Sequence, residues 1–301
     1  MTHQNVPYPS CSICLNSELI FSFNCIDHSL TKDTFQVLIC PKCSAQITYP
    51  APTIDKIAPY YNFPDYISHT DVKEGFINKL YHKVRLKTLQ QKTGWVQSLF
   101  TGHKGNLLEV GAGTGAFSNA MRNKGWNVTA LEPDALSRKR AFDNYGITLL
   151  PTENLFTLKD NSYEVITLWH VLEHVHDLNG YLNSFYKLLK PNGRLIIAVP
   201  NYTSYDAKFY GSYWAAYDVP RHLYHFSPLA LTALSQRFSM KIVQIKPMWF
   251  DSFYVSLLSE KYKASGTFGM IKAFLIGGIS NLFALKNNAK ASSLIYEIKK
   301  V

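Results

Sequence analysis

The sequence predicts an α/β protein with a small metal-held module in front of it, and three observations carry that prediction. A buried apolar strand runs into a glycine loop in "LLEVGAGTGA", Leu107–Ala116, and a helix and a second strand ending in Glu132 follow. Further on, "LLKPNGRLIIAVPN", Leu188–Asn201, reads as a helix end, a turn and a fully buried strand. Near the start, Cys11, Cys14, Cys40 and Cys43 form two C-x-x-C pairs.

Each pair places two thiolates on one tight turn, and two such turns supply a tetrahedral four-sulfur site for Zn2+. The segment between them alternates as a short hairpin does, so residues 1–52 read as a zinc ribbon-like module. A closed four-thiolate site leaves no open coordination position, so this zinc is structural. Cys25 is left over as a packed thiol. Residues 53–103 read as a Pro- and Tyr-rich linker with a short helix, then helical spacing from Val72 to Phe100 with a basic outer face.

From 104 to 301 the pattern is Rossmann-like. Gly111, Gly113 and Gly115 open the first helix, which starts near Phe117, and Glu132 ends the second strand about 20 residues on. "GAGTGA" also satisfies a dinucleotide fingerprint, so a nicotinamide cofactor is the competing reading. Glu109, two residues before the first glycine, argues against it: a carboxylate there crowds a pyrophosphate but can anchor the amino group of S-adenosylmethionine. Glu132 suits the ribose hydroxyls of either cofactor.

The glycine loop with Glu109, followed by the strand at Leu188–Asn201, resembles class I S-adenosylmethionine-dependent methyltransferases from Lys104 onward. The resemblance is nearest to the group that includes ubiquinone-biosynthesis O-methyltransferases. It implies a seven-stranded sheet with a C-terminal antiparallel hairpin. Strand three would be "ITLLP", strand four "YEVITLW", and strands six and seven "KIVQIKPM" and "SSLIYEIKK". Glu164 stands where the family usually has an aspartate. Trp169 is expected beside the cofactor near its methyl group.

"WHVLEHVHD", Trp169–Asp177, follows strand four directly. On a helix, His170, Glu173 and His174 would share a face, the H-x-x-E-H arrangement of some metallopeptidases. The glycine loop has no place in a peptidase, and the resemblance makes this stretch an active-site wall instead. The related O-methyltransferases carry E-x-x-E-H there, which can hold a divalent cation. With His170 in place of the first glutamate, three readings stay open: a second divalent cation of softer preference, His170 as a base, or Glu173 and His174 merely capping or bracing the helix.

The aromatic segment Asn201–Pro228 is expected as a lid over the acceptor, with His222 as a further catalytic base and Asp218, Arg221 and His225 as its other ionisable groups. Asp218 and Arg221 either pair to pin the lid, or Arg221 receives an anionic acceptor. Residues 249–291 form an insertion whose apolar stretch Ala273–Leu285 is too short to span a bilayer, where about 20 residues are needed. Flanked by lysines, it either packs on the zinc module, the favoured reading, or touches a membrane peripherally.

The formal net charge is +10 with 17% charged residues, which excludes a long disordered chain but does not choose among anionic partners. The start of the sequence shows no basic-then-apolar signal segment, so a cytoplasmic location with unpaired cysteines is expected. The reading is therefore O-methylation of a small-molecule acceptor enclosed by the aromatic lid. The alternative is an RNA or protein methyltransferase whose zinc module and basic helix grip the substrate. A cofactor-binding regulator without catalysis is a third class, disfavoured by the intact loop and acids.

Overall fold

A computed structural model describes residues 10–61, 76–100, 104–266 and 268–301. The expected linker and helix at residues 62–75 lie outside these. Three antiparallel strands open the chain: β1 (Ile20–Ile26), β2 (Thr34–Ile39) and β3 (Gln46–Tyr49). A 3₁₀ turn at Ala58–Tyr61 and the long helix α1 (Phe76–Ser98) lead to the second sheet.

That sheet begins with β4 (Asn106–Val110), helix α2 (Ala116–Asn123), β5 (Asn127–Leu131) and helix α3 (Ala135–Tyr145). Then come β6 (Tyr163–Trp169), helix α4 (Leu178–Leu188) and β7 (Leu189–Pro200). The parallel strands are near-continuous apolar runs because helices cover both faces; every residue of β6 except Trp169 is buried. The chain continues through α5 (Tyr205–Tyr210), the two-residue β8 (Tyr224–His225), α6 (Pro228–Arg237) and β9 (Met240–Pro247). It ends with α7 (Asp251–Tyr262), α8 (Phe268–Lys286) and β10 (Ser293–Lys300).

The large sheet has the order β5-β4-β6-β7-β10-β9, with β10 antiparallel to both neighbours. Among the described residues it is six-stranded, not seven-stranded. The strand expected at "ITLLP" is one parallel bridge, Leu131 to Leu150, because Pro151 has no N–H with which to extend the ladder.

Two further expectations are corrected. Asn201–Pro228 is no loose lid: Trp214, Tyr217, Arg221 and Phe226 are all buried. Its β8 adds a fourth strand to the cysteine sheet by pairing Gln46 with His225 and Ile47 with Tyr224. The apolar stretch of the insertion is also longer than expected, since α8 has 19 residues and is long and apolar enough to cross a membrane. Contact with the cysteine module runs through α7, whose Tyr262 stacks on His28 and meets Ser29 Oγ at 2.9 Å. Helix α8 packs on α7 and α5, with Gly277 seated against the Phe253 backbone and Ser280 Oγ donating to buried Asp206 at 2.6 Å.

Candidate functional site

The two cysteine turns are built alike. Leu15 N–H donates to Cys11 O and Ser44 N–H to Cys40 O, at 2.8 and 2.9 Å. Leu15 and Ser44 both take a left-handed conformation, at φ 62° and 56°. Each turn thereby aims its two thiols at one point, and the four ligand atoms lie within 4.8 Å of one another. Cys43 beside it pulls the Cys11 thiol down to about 5, so one thiolate forms readily in this sulfur-rich pocket. The donor set fits a tetrahedral thiophilic cation such as Zn2+. Cys25 stands apart, donating to Ser212 O, and burial pushes it up to about 12.

One cleft of about 2600 Å³ opens along the C-terminal ends of β4, β5 and β6. Pockets for a single drug-sized ligand run to about 1,000 Å³, so this volume accommodates a cofactor and an acceptor side by side. Glu109, Gly111, Gly113, Glu132 and Trp169 all line it. Glu132 Oε2 accepts from Gly113 N–H at 2.8 Å and Oε1 from Asp134 N–H at 3.0 Å, which fixes the carboxylate beside the loop. Glu109 is 3% exposed, and burial pushes its carboxyl up to about 8 despite the Ser118 hydroxyl donating to it. A cationic ligand group beside Glu109 would restore its charge, which suits the amino end of S-adenosylmethionine.

Gly111 adopts φ +73°, and a Cβ there would meet Val171 at 2.3 Å, so only glycine lets the loop pass. Gly115 does not line the cleft. It is the left-handed N-cap of α2, and a Cβ would press on Ala141 of α3 at 2.9 Å, so its role is helix packing. Lys92 of α1, missed in the sequence because it belongs to no motif, lies over the Trp169 ring at 4.5 Å and lines the cleft.

The stretch after β6 is no α-helix. His170 turns left-handed at φ 58°, and Leu172–His174 form a single 3₁₀ turn. His170 Nε2 lies 3.2 Å from Asp251 at the start of α7, and its Nδ1 lies 3.4 Å from Glu173. Burial works against its charge, but the two carboxylates prevail and hold its pKa at about 9. His170 is thus an imidazolium near neutrality, with both nitrogens committed, which does not suit a base. Asp251 is the second residue sequence reasoning missed, since it arrives from a distant insertion.

His174 and His222 meet edge to face, 4.6 Å between ring centroids. His174 Nδ1 faces Arg221 O at 3.0 Å and His222 Nδ1 faces Ala216 O at 2.8 Å. A carbonyl only accepts, so each Nδ1 carries the proton and each Nε2 keeps its lone pair. Burial, reinforced by His222, pushes His174 down to about 4. Among the described residues, fully buried Glu173 has no hydrogen bond to either carboxylate oxygen, the 3.4 Å approach of His170 being an ion-pair distance only. Glu173, His174 and His222 converge within 4.8 Å, two nitrogens and a carboxylate, a donor set that fits a divalent cation. The cation-binding trio expected at His170, Glu173 and His174 is thus redrawn, with His222 replacing His170.

The remaining ionisable groups of the segment are structural. Arg221 donates to Asp218 at 2.6 Å and to Asp27 of the cysteine module at 2.8 Å, so its charge is consumed internally. His225 Nε2 meets Thr48 Oγ1 at 3.1 Å in the core. The acceptor end of the cleft is completed by His28, Ser29 and Leu30 of the cysteine module, with Tyr61 and the α7 side chains Tyr254 and Leu258.

A family description, "Methyltransferase domain", matches residues 81–245. A ubiquinone biosynthesis O-methyltransferase from Actinobacillus pleuropneumoniae is 35% identical over 135 residues, 41% of this chain and 55% of that protein. The protein of that name from Xanthomonas oryzae pv. oryzae is 25% identical over 158 residues, 48% of this chain and 66% of that one. The matches cover less than two thirds of either relative. Among solved structures, magnesium protoporphyrin IX methyltransferase from Synechocystis, with bound SAH, superposes with a TM-score of 0.52 at 12% identity. That match covers 81% of this chain and 98% of that one, and the likeness is one of fold. With the glycine loop, the acid at the end of β5 and the antiparallel β10 in place, this chain belongs to the methyltransferase-domain family and carries the class I S-adenosylmethionine-dependent methyltransferase fold.

Proposed function

We propose that the chain is an S-adenosylmethionine-dependent methyltransferase acting on a hydroxyl group of a small molecule, with a structural zinc at its four cysteines. The observation that carries this reading is the composition of one cleft. Glu109, the glycine loop and Glu132 stand at one end, and the Nε2 lone pair of His222 at the other. The curated relatives' names support O-methylation. When bound, the cofactor supplies a methyl group on a positively charged sulfur.

The residues supply alignment and proton removal. Glu132 holds the ribose hydroxyls, Glu109 the amino group, and Trp169 walls the passage between the two halves. His222 takes the acceptor's proton on Nε2, since its Nδ1 proton is committed to Ala216 O. His170 acts through others: locked between Asp251 and Glu173, it ties α7 to the wall of the cleft. S-adenosylhomocysteine should raise the melting temperature by mass action, NAD should not, and Glu132→Ala should blunt the shift. Stabilisation by NAD alone would overturn the assignment.

The carboxylate of Glu173, buried without a hydrogen bond among the described residues, favours a second reading of the same trio. Here Glu173, His174 and His222 hold a divalent cation that orients the acceptor hydroxyl. Metal analysis of the wild type and of Glu173→Gln separates the two readings. One cation beyond the cysteine-bound zinc, lost in the variant, makes His222 a ligand; equal metal content leaves it the base.

A further inference from the structure

Helix α8 is built inside out. The side chains it turns toward α7 and α5 are small: Gly269, Ala273, Gly277, Ser280 and Ala284 are buried, with Ile276 the one large member. Its large apolar side chains face outward, with Phe268 81% exposed, Ile271 61%, Leu275 62%, Leu282 61% and Leu285 68%. At 100° per residue these five fall within about 100° of arc, and Phe274 and Met270 extend the same side. A soluble monomer rarely leaves so continuous an apolar stripe in water.

Charge selects the occupant. From Lys261 to Tyr296 the sequence holds five lysines and no aspartate or glutamate. Lys286 and Lys290 lie exposed at the end of the helix and Lys263 exposed before it, over the Tyr213 ring, while Lys261 lines the cleft and Lys272 on the helix pairs with Glu260 at 3.1 Å. Apolar side chains edged by exposed lysines match an anionic lipid surface. A two-fold contact between copies would set these lysines against their own kind. The opposite face is committed to α7 and α5, with Ser280 bonded to buried Asp206, so α8 cannot leave the fold to span a bilayer.

We infer that α8 is a membrane-docking helix that lies in the interface of an anionic bilayer, its Phe268–Leu285 stripe among the acyl chains and its flanking lysines at the headgroups. The surface stands independently of the reaction performed in the cleft.

The test is co-sedimentation of the full chain with phosphatidylcholine vesicles, alone and with about one third phosphatidylglycerol. Binding is expected to the anionic vesicles and weakly to the neutral ones. Leu275→Glu and Leu282→Glu should each lower partitioning roughly tenfold or more, as buried apolar area is lost and charge enters the interface. Lys286→Glu with Lys290→Glu should weaken binding and flatten its salt dependence. Both leucines are exposed, so these variants should keep the wild-type melting temperature. As a direct readout, Leu275→Trp should shift its emission to the blue on vesicles while keeping wild-type affinity. Three results would overturn the inference: no vesicle binding, binding indifferent to Leu275→Glu and Leu282→Glu, or a stable dimer that those two variants dissociate while vesicles do not compete.

Discussion

Replacing Arg221 with methionine tests what holds the acceptor end of the cleft together. The guanidinium is 1% exposed and joins Asp218 and Asp27, and its Nη1 also donates to Tyr60 O at 3.1 Å. Removing one member of a buried ion pair costs about 3–5 kcal/mol, because the partner charge stays buried. Asp27 would still accept from the backbone N–H groups of Ser29, Leu30 and Thr31, at 3.1, 3.2 and 3.0 Å. That residual solvation places the expected loss at the lower end, about 3–4 kcal/mol. At about 2–4 °C per kcal/mol, the melting temperature should fall by about 6–16 °C.

Asp27→Asn should cost less, about 1–3 kcal/mol, because Arg221 keeps Asp218. The double variant should cost less than the sum, since the methionine no longer strands a buried charge at residue 27. The pH dependence has a definite sign. Burial opposes the Asp27 charge, yet the Arg221 hydrogen bond prevails and holds its pKa below the usual range. Its contribution is therefore present above the unfolded pKa of about 4 and is lost as pH falls through the lower folded value. The Arg221→Met deficit should shrink in acid accordingly. Thermal unfolding of the four proteins at pH 7, repeated in acid, checks all of this. A cost within about 0.5 kcal/mol, or strict additivity, would refute the argument.

The other expectations concern the site directly. Elemental analysis should find zinc bound at the cysteines and lost in Cys40→Ser, with a large fall in stability; a zinc-free wild type would remove the structural role. His222→Ala should cut turnover by about 10²–10⁴-fold while leaving S-adenosylhomocysteine affinity nearly unchanged, and wild-type turnover would exclude His222 as the base. Asp251→Asn should destabilise the protein most between the carboxylate range and about pH 6.5, and progressively less above it. With its folded pKa raised to about 9, His170 contributes stability that is complete below the unfolded value of about 6.5 and lost as pH rises through 9. A deficit in Asp251→Asn that grows above pH 9 would contradict that sign.

What the sequence disclosed follows the strength of local signals. Buried parallel strands announce themselves as unbroken apolar runs, and the left-handed turns of the glycine loop favour glycine, so β4 to β7 and the cofactor end are legible. "ITLLP" has the apolar run of a short strand, and only the fold shows that Pro151 stops it at one bridge. On a helix, spacing alone groups His170, Glu173 and His174. A single left-handed residue at His170 regroups them, sending it toward Asp251 and letting His222 join the other two. Lys92, Asp251 and Asp27 had no signal to find, because each acts through a partner from a remote segment.

The two-residue strand β8 carries a consequence for how this protein would respond to metal scarcity. Tyr224 and His225 complete the cysteine sheet, while His222, two residues earlier, completes the reaction cleft. With zinc at the four cysteines as proposed, a molecule made without the metal would lose the scaffold on which that segment is stretched and, with it, the proposed acceptor wall. On the proposed reading, metal scarcity would therefore be felt first at the acceptor wall, since Glu109 and Glu132 stand at the ends of β4 and β5 in the other sheet.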